Sequence, residues 1–174
     1  MDLSKLKDFF DPEDIEWRIG QVGETKTNQL YATALAYITN RAIMNRLDEV
    51  CGPENWRNEF MKGPEGGVLC GLSIYDEGKK EWVTKWDGAE NTDIEAVKGG
   101  LSDAMKRAGY QWGIGRYLYD LPKGYAKIED SGKFYASGKM KFTGKEYRFK
   151  WNPPALPAEF MPKKALAKEL DSLA

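Results

Sequence analysis

Apolar positions recur at every second residue in Ile15-Glu16-Trp17-Arg18-Ile19, which is the period of a strand that turns Ile15, Trp17 and Ile19 inward and Arg18 outward. Gly20 to Asn28 is polar and reads as a loop or hairpin turn, followed by a second strand over Leu30 to Ile38. Thr39-Asn40 then offers an N-cap, and Ile43, Leu47, Val50 and Cys51 follow at helical spacing until Gly52-Pro53 stops the helix. Three strands come next, over Trp56–Met61, Val68–Ile74 and Glu81–Trp86, separated by turns at Gly63–Gly67 and Asp76–Lys79. Asp87 to Asn91 reads as a loop. Thr92 or Asp93 then caps a long helix whose Ile94, Val97, Leu101, Ala104, Met105, Ala108 and Trp112 share one face, which should lie on the sheet. Residues 3–10 have the spacing of a short amphipathic helix, and Pro162–Leu173 that of a final one.

The texture changes after Pro122. Gly132-Lys133, Gly138-Lys139 and Gly144-Lys145 recur every six residues among short aromatic and basic runs, which read as turns with hairpins or as a basic arm. The expected fold is α+β: an antiparallel sheet in β-β-α-β-β-β-α order with a long helix packed on it, plus a β-rich basic C-terminal extension. The expected organisation is a core over residues 1–122, with residues 123–174 as an extension of the same domain.

Composition removes several chemistries. There is no histidine, the commonest general base and metal ligand, and two cysteines alone cannot build a Cys/His zinc site. Cys51 and Cys70 fall in apolar patterns and are expected as buried free thiols in a reducing cytoplasm. No apolar run is long enough for a membrane span, and the N-terminal residues lack the apolar core of a secretory signal. The formal net charge is −1, so any nucleic-acid surface must come from segregated charge. Residues 1–16 are mainly acidic and residues 123–150 mainly basic.

Candidate motifs sort quickly. The Gly-Lys series lacks the spacing and the following Ser/Thr of a phosphate-binding P-loop. Gly113-Ile114-Gly115 follows a helix instead of a strand, which suits a helix C-cap better than a dinucleotide site. Asp87, Glu90, Asp93 and Glu95 gather near the start of the long helix, where capping competes with a metal-dependent nuclease site as their explanation. Lys98, Lys106, Arg107 and Arg116 interleave with Tyr110, Trp112, Tyr117 and Tyr119. Single-strand binders pair cations for phosphates with rings for bases in this way.

The run KGGLSDAMKRAGYQWGIGRYLYD, Lys98 to Asp120, resembles the signature of the Rad52/22 family of recombination proteins. Asp103, Lys106, Arg107, Ala108, Trp112, Gly113, Leu118, Tyr119 and Asp120 fill its places. The segment YITNRAIMNRLDEVCGPENW, Tyr37 to Trp56, is similar to the family's strand–helix segment with its closing Gly-x-x-x-Trp. The resemblance runs from about Pro12 to Tyr125. It implies ATP-independent annealing of single-stranded DNA in recombination and double-strand break repair, as in the Sak-type proteins of phages and prophages. End protection without annealing is the alternative. It also implies no catalysis and no cofactor, a homo-oligomeric ring with DNA in an outer groove, and a single-strand DNA binding protein as a further partner in a bacterial host cytoplasm.

The family's inner-groove cations fall on Arg18, Lys98, Lys106 and Arg107. Where eukaryotic members have a further arginine, this chain has Tyr110, able to stack on a base but not to neutralise phosphate. The loop before the long helix is shorter here, so the family's outer DNA site does not carry over. Lys26 and Arg116 join the candidates on their chemistry alone.

Overall fold

The computed structural model describes residues 1–90 and 96–167. Its strands are β1 (Ile15–Glu24), β2 (Leu30–Ile38), β3 (Trp56–Lys62), β4 (Val68–Asp76), β5 (Glu81–Ala89), β6 (Gly124–Tyr125), β7 (Lys127–Ile128), β8 (Phe134–Lys139) and β9 (Glu146–Asn152). Two helices, α1 (Asn40–Cys51) and α2 (Ala96–Gln111), separate them. Antiparallel sheets with helices make the class α+β, but the strands build three three-stranded sheets and not one. The chain divides into two compact units, residues 1–10 with 38–117, and residues 11–37 with 118–174.

In the first unit, β3-β4-β5 is an antiparallel meander with Trp56 opposite Ile74 and Ile74 opposite Val83. Cys70, Leu72 and Ile74 of β4 are buried, as are Ala104, Met105 and Ala108 of α2, which packs on β4 and β5. The α1 helix adds Ile43 and Leu47 to this core. Its start is set by the Thr39 hydroxyl, which accepts from the Ala42 amide at 3.1 Å and satisfies one of the helix's orphan donors. Arg46 of α1 donates to the carbonyls of Lys5, Asp8 and Phe9, and its guanidinium lies 4.1 Å from the Phe10 ring. That one side chain ties the N-terminal 3-10 turn, Leu3–Lys7, to the helix. Cys51 and Cys70 are buried free thiols, and burial pushes the Cys70 thiol up to about 11.

In the second unit, β1-β2-β6 and β7-β9-β8 form two sheets that share a core of Val22, Ala32, Ala34, Met140, Phe149 and Trp151. Gly20 to Glu24, expected as loop, continues β1 as far as the turn at Thr25–Gln29. The inward alternation of Ile15, Trp17 and Ile19 slips by one residue before Val22. The Gln21 amide there donates to the Thr33 hydroxyl at 2.8 Å, so a side chain of β2 carries the strand across the slip. Glycine-rich residues 132–145 form the turns around an antiparallel β8–β9 hairpin, with Lys145 paired to Glu24. Residues 163–167 are helical, and the remainder of the expected final helix lies outside the described residues. Among the described residues no helix is long and apolar enough to cross a membrane.

Candidate nucleic-acid interface

The C-terminal end of α2 organises the candidate residues of the first unit. Gly113, at φ +91°, takes the left-handed conformation that closes a helix. Its amide donates to Tyr110 O at 2.9 Å, and the Ile114 amide reaches back to Gly109 O at 3.1 Å, which is the double bond of a Schellman motif. Two carbonyls near this end are then met by cations. Arg116 donates through Nε and Nη2 to Tyr110 O and through Nη2 to Gln111 O, while Lys85 Nζ reaches the same Gln111 O at 3.0 Å. Positive charge there also offsets the negative end of the helix dipole.

Aromatic rings line this cluster. The Arg116 guanidinium stands 5.0 Å from the centre of the Tyr110 ring, and Lys85 Nζ stands 4.5 Å from that of Trp112. Trp112 itself donates its indole N–H to Leu72 O at 2.9 Å, which fixes it against β4.

Asp87 holds Arg107 in this neighbourhood. Arg107 Nε donates to Asp87 Oδ1 and Gln111 Nε2 to Asp87 Oδ2, each at 2.8 Å, and the Gly88 amide also bonds Oδ1. Burial pushes the Asp87 carboxyl up, but donation from Gln111, Gly88 and Arg107 outweighs it and holds the group below the usual carboxylate range. Asp87 was expected in a loop; it sits inside β5, whose pairing runs to Ala89 because β4 continues opposite it. Asp93 and Glu95, its companions in the expected acidic group, and the proposed caps Thr92 and Asp93 lie outside the described residues.

The stability that Asp87 supplies has a definite pH sign. A depressed carboxyl stabilises the fold above its unfolded value of about 3.9 and loses that contribution as pH falls through the lower folded value. Asp87→Asn should therefore destabilise the protein by roughly 1 kcal/mol at pH 7, since Arg107 is half-exposed and its pair is screened. The gap should shrink as pH falls through the lowered folded value of Asp87, as read by denaturant titration at neutral and acid pH.

The remaining candidates fall as follows. Lys106 is partly buried, with Nζ 3.5 Å from Asp103 one turn back on the helix. Arg107 is its exposed neighbour, on the side of α2 that meets β5. Lys98 is in the first described turns of α2. Arg18 and Lys26 belong to the second unit. Arg18 projects from β1 with its guanidinium 6.0 Å from the Tyr37 ring, and Lys26 is exposed in the β1–β2 turn.

The structure thus gathers Arg107, Tyr110 and Arg116 about Gln111 and adds Lys85, which sequence reasoning passed over. The missed signal is the alternation of β5: Lys85 and Asp87 share the strand face of Val83, which is the face α2 covers.

A family model described as the Rad52/22 family double-strand break repair protein matches residues 3–133. The chain is 36% identical over 132 residues to the single-stranded DNA-binding protein DdrA of Deinococcus radiodurans, and 33% identical over 135 residues to that of Deinococcus deserti. Each match takes in 73% of this chain, but the chain spans only 59% and 61% of those relatives' lengths. No solved structure matches it.

Proposed function

Since this chain belongs to the Rad52/22 family of double-strand break repair proteins, we propose that it binds single-stranded DNA and anneals complementary strands without ATP. The observation that carries the reading is the cluster at the end of α2, where Lys85 and Arg116 meet on the Gln111 carbonyl and Arg107 shares the Asp87 carboxylate with the Gln111 side chain, beside the rings of Tyr110 and Trp112. Lys106 and Lys98 of α2 are further candidate cations of the first unit, and Arg18 and Lys26 are separate candidates in the second. Cations of this kind hold phosphates, and rings offer stacking surfaces that accept any base. A strand held by its backbone keeps its base edges free for a complementary strand.

Annealing in this manner needs proximity and alignment, not bond chemistry, so the reading includes no catalytic residue and no cofactor. Asp87, described together with Glu90 from the acidic group near the start of α2, is engaged in orienting Arg107. The reading further includes a homo-oligomeric ring, a single-strand DNA binding protein as partner, and the reducing cytoplasm in which Cys51 and Cys70 stay thiols.

A second reading, binding and protecting single-stranded ends without annealing, is favoured by one observation: both relatives carry names that state binding alone. Titrating a labelled single strand against a duplex of equal length, across a range of salt, tests the part common to both readings. Tight, salt-sensitive binding of the single strand is expected. Equal affinity for the duplex, or no binding near physiological salt, overturns both.

A further inference from the structure

The outer face of the β7-β9-β8 sheet carries a surplus of positive charge. Along β9, Tyr147, Phe149 and Trp151 turn toward the core of their unit. Side chains alternate along a strand, so Glu146, Arg148, Lys150 and Asn152 must emerge on the opposite face. The register fixes their neighbours there: Tyr135 opposite Lys150, Ser137 opposite Arg148, Lys139 opposite Glu146, and Lys127 opposite Asn152. Four cations thus share the face with two carboxylates, Glu129 and Glu146. Glu129 accepts from the Asn152 side-chain amide, and Glu146 lies 3.9 Å from Lys139 with both side chains in solvent. Lys127, Arg148 and Lys150 form no ion pair among the described residues. Tyr135 sits among them with 65% of its surface exposed, and Phe142, in the β8–β9 turn, is 79% exposed. Both carboxylates have partners of their own, Asn152 and Lys139, which leaves Lys127, Arg148 and Lys150 as positive charge unpaired among the described residues, around an aromatic ring held in water.

We propose that this face is a second single-strand nucleic-acid surface, distinct from the α2 cluster, with Lys127, Arg148 and Lys150 on phosphates and Tyr135 as a stacking platform. The inference rests on the single-strand binding proposed above. Arg148 and Lys150 stand one strand repeat apart, about 6.6 Å, a spacing suited to successive phosphates of an extended strand. A duplex would satisfy the cations but hides its base faces from Tyr135, whereas a single strand presents them. Tyr135, Lys139, Arg148 and Lys150 all lie beyond residue 133, where the family match ends. Family membership therefore does not account for them.

The test uses the full chain with a fluorescein-labelled oligothymidine. The triple variant Lys127→Gln, Arg148→Gln, Lys150→Gln should lower the slope of log affinity against log salt by about 2, because about 0.7 of a counterion is released per phosphate contact with a single strand. A control variant, Lys62→Gln, Lys163→Gln, Lys164→Gln, removes the same charge elsewhere and should leave the slope in place. The charge-keeping pair Arg148→Lys, Lys150→Arg should retain the wild-type slope, which separates charge from folding. Tyr135→Ala should weaken oligothymidine binding by about tenfold without changing the slope. A triple variant with the wild-type slope, or one that falls no further than the control, overturns this surface alone. A wild-type protein that fails to bind oligothymidine overturns the proposed function and this surface together.

Discussion

Changing Lys106 and Arg107 together to glutamine will weaken binding to single-stranded DNA by about a hundredfold, taking each charged contact at roughly 1.5 kcal/mol. The salt slope will fall by about 1.4, since two phosphate contacts are lost. The fold will be little affected. Lys106 is paired only 3.5 Å away with the exposed Asp103, and Arg107 is half in solvent, so neither ion pair contributes more than about 1 kcal/mol. Asp87 keeps its bonds from Gln111 and Gly88 in the variant. The Tm should therefore move by only a few degrees while affinity collapses. A variant that binds with the wild-type slope places the strand elsewhere on the molecule.

Gly132→Ala should cost the fold more than any change at the candidate site, about 2–3 kcal/mol. A Cβ at Gly132 would run into the backbone nitrogen of Trp151 and the carbonyl carbon of Lys150. Backbone cannot swing aside as a side chain can, so the turn must lift away from β9. Trp151 is buried in the core of its unit and would be disturbed with it. Denaturant unfolding should show the loss. Gly144→Ala gives a useful contrast: no atom lies near a Cβ there, but its φ of +68° disfavours a side chain, with an expected cost of about 1 kcal/mol.

These two glycines show what the sequence could and could not tell. The six-residue Gly-Lys repeat announces turns at Gly132 and Gly144 but not at Gly138, which pairs with Tyr147 inside β8; of the two turn glycines, one serves close approach to another strand and the other a left-handed turn. Repetition in sequence did not mean repetition of cause. Elements set by neighbouring residues were legible: Leu30–Ile38 and the helix from Asn40 to Cys51 appear where alternation, the Thr39 cap and Gly52 place them. Elements that depend on distant partners were not. Gln21 remains in a strand because Thr33 supplies an acceptor from β2. The two-residue strands β6 and β7 exist only through pairing with β2 and β9, and two residues have no period to read.

The candidate site follows the same division. The Lys106-Arg107 pair and the closing Gly113 stand out along the chain because their neighbours are local. That Asp87 holds Arg107, or that Lys85 and Arg116 meet on Gln111, depends on the register between β5 and the end of α2. The alternation of β5 offered a hint, but its reading stopped at Trp86, one residue before the carboxylate that matters.

The rate of duplex formation from complementary oligonucleotides, measured with the protein present in EDTA and without nucleotide, tests the central claim most directly. The account predicts pairing faster than the strands achieve alone, with the Lys106→Gln, Arg107→Gln variant close to the uncatalysed rate. Strands that are bound but pair no faster, or that are cut once Mg²⁺ is restored, would contradict it.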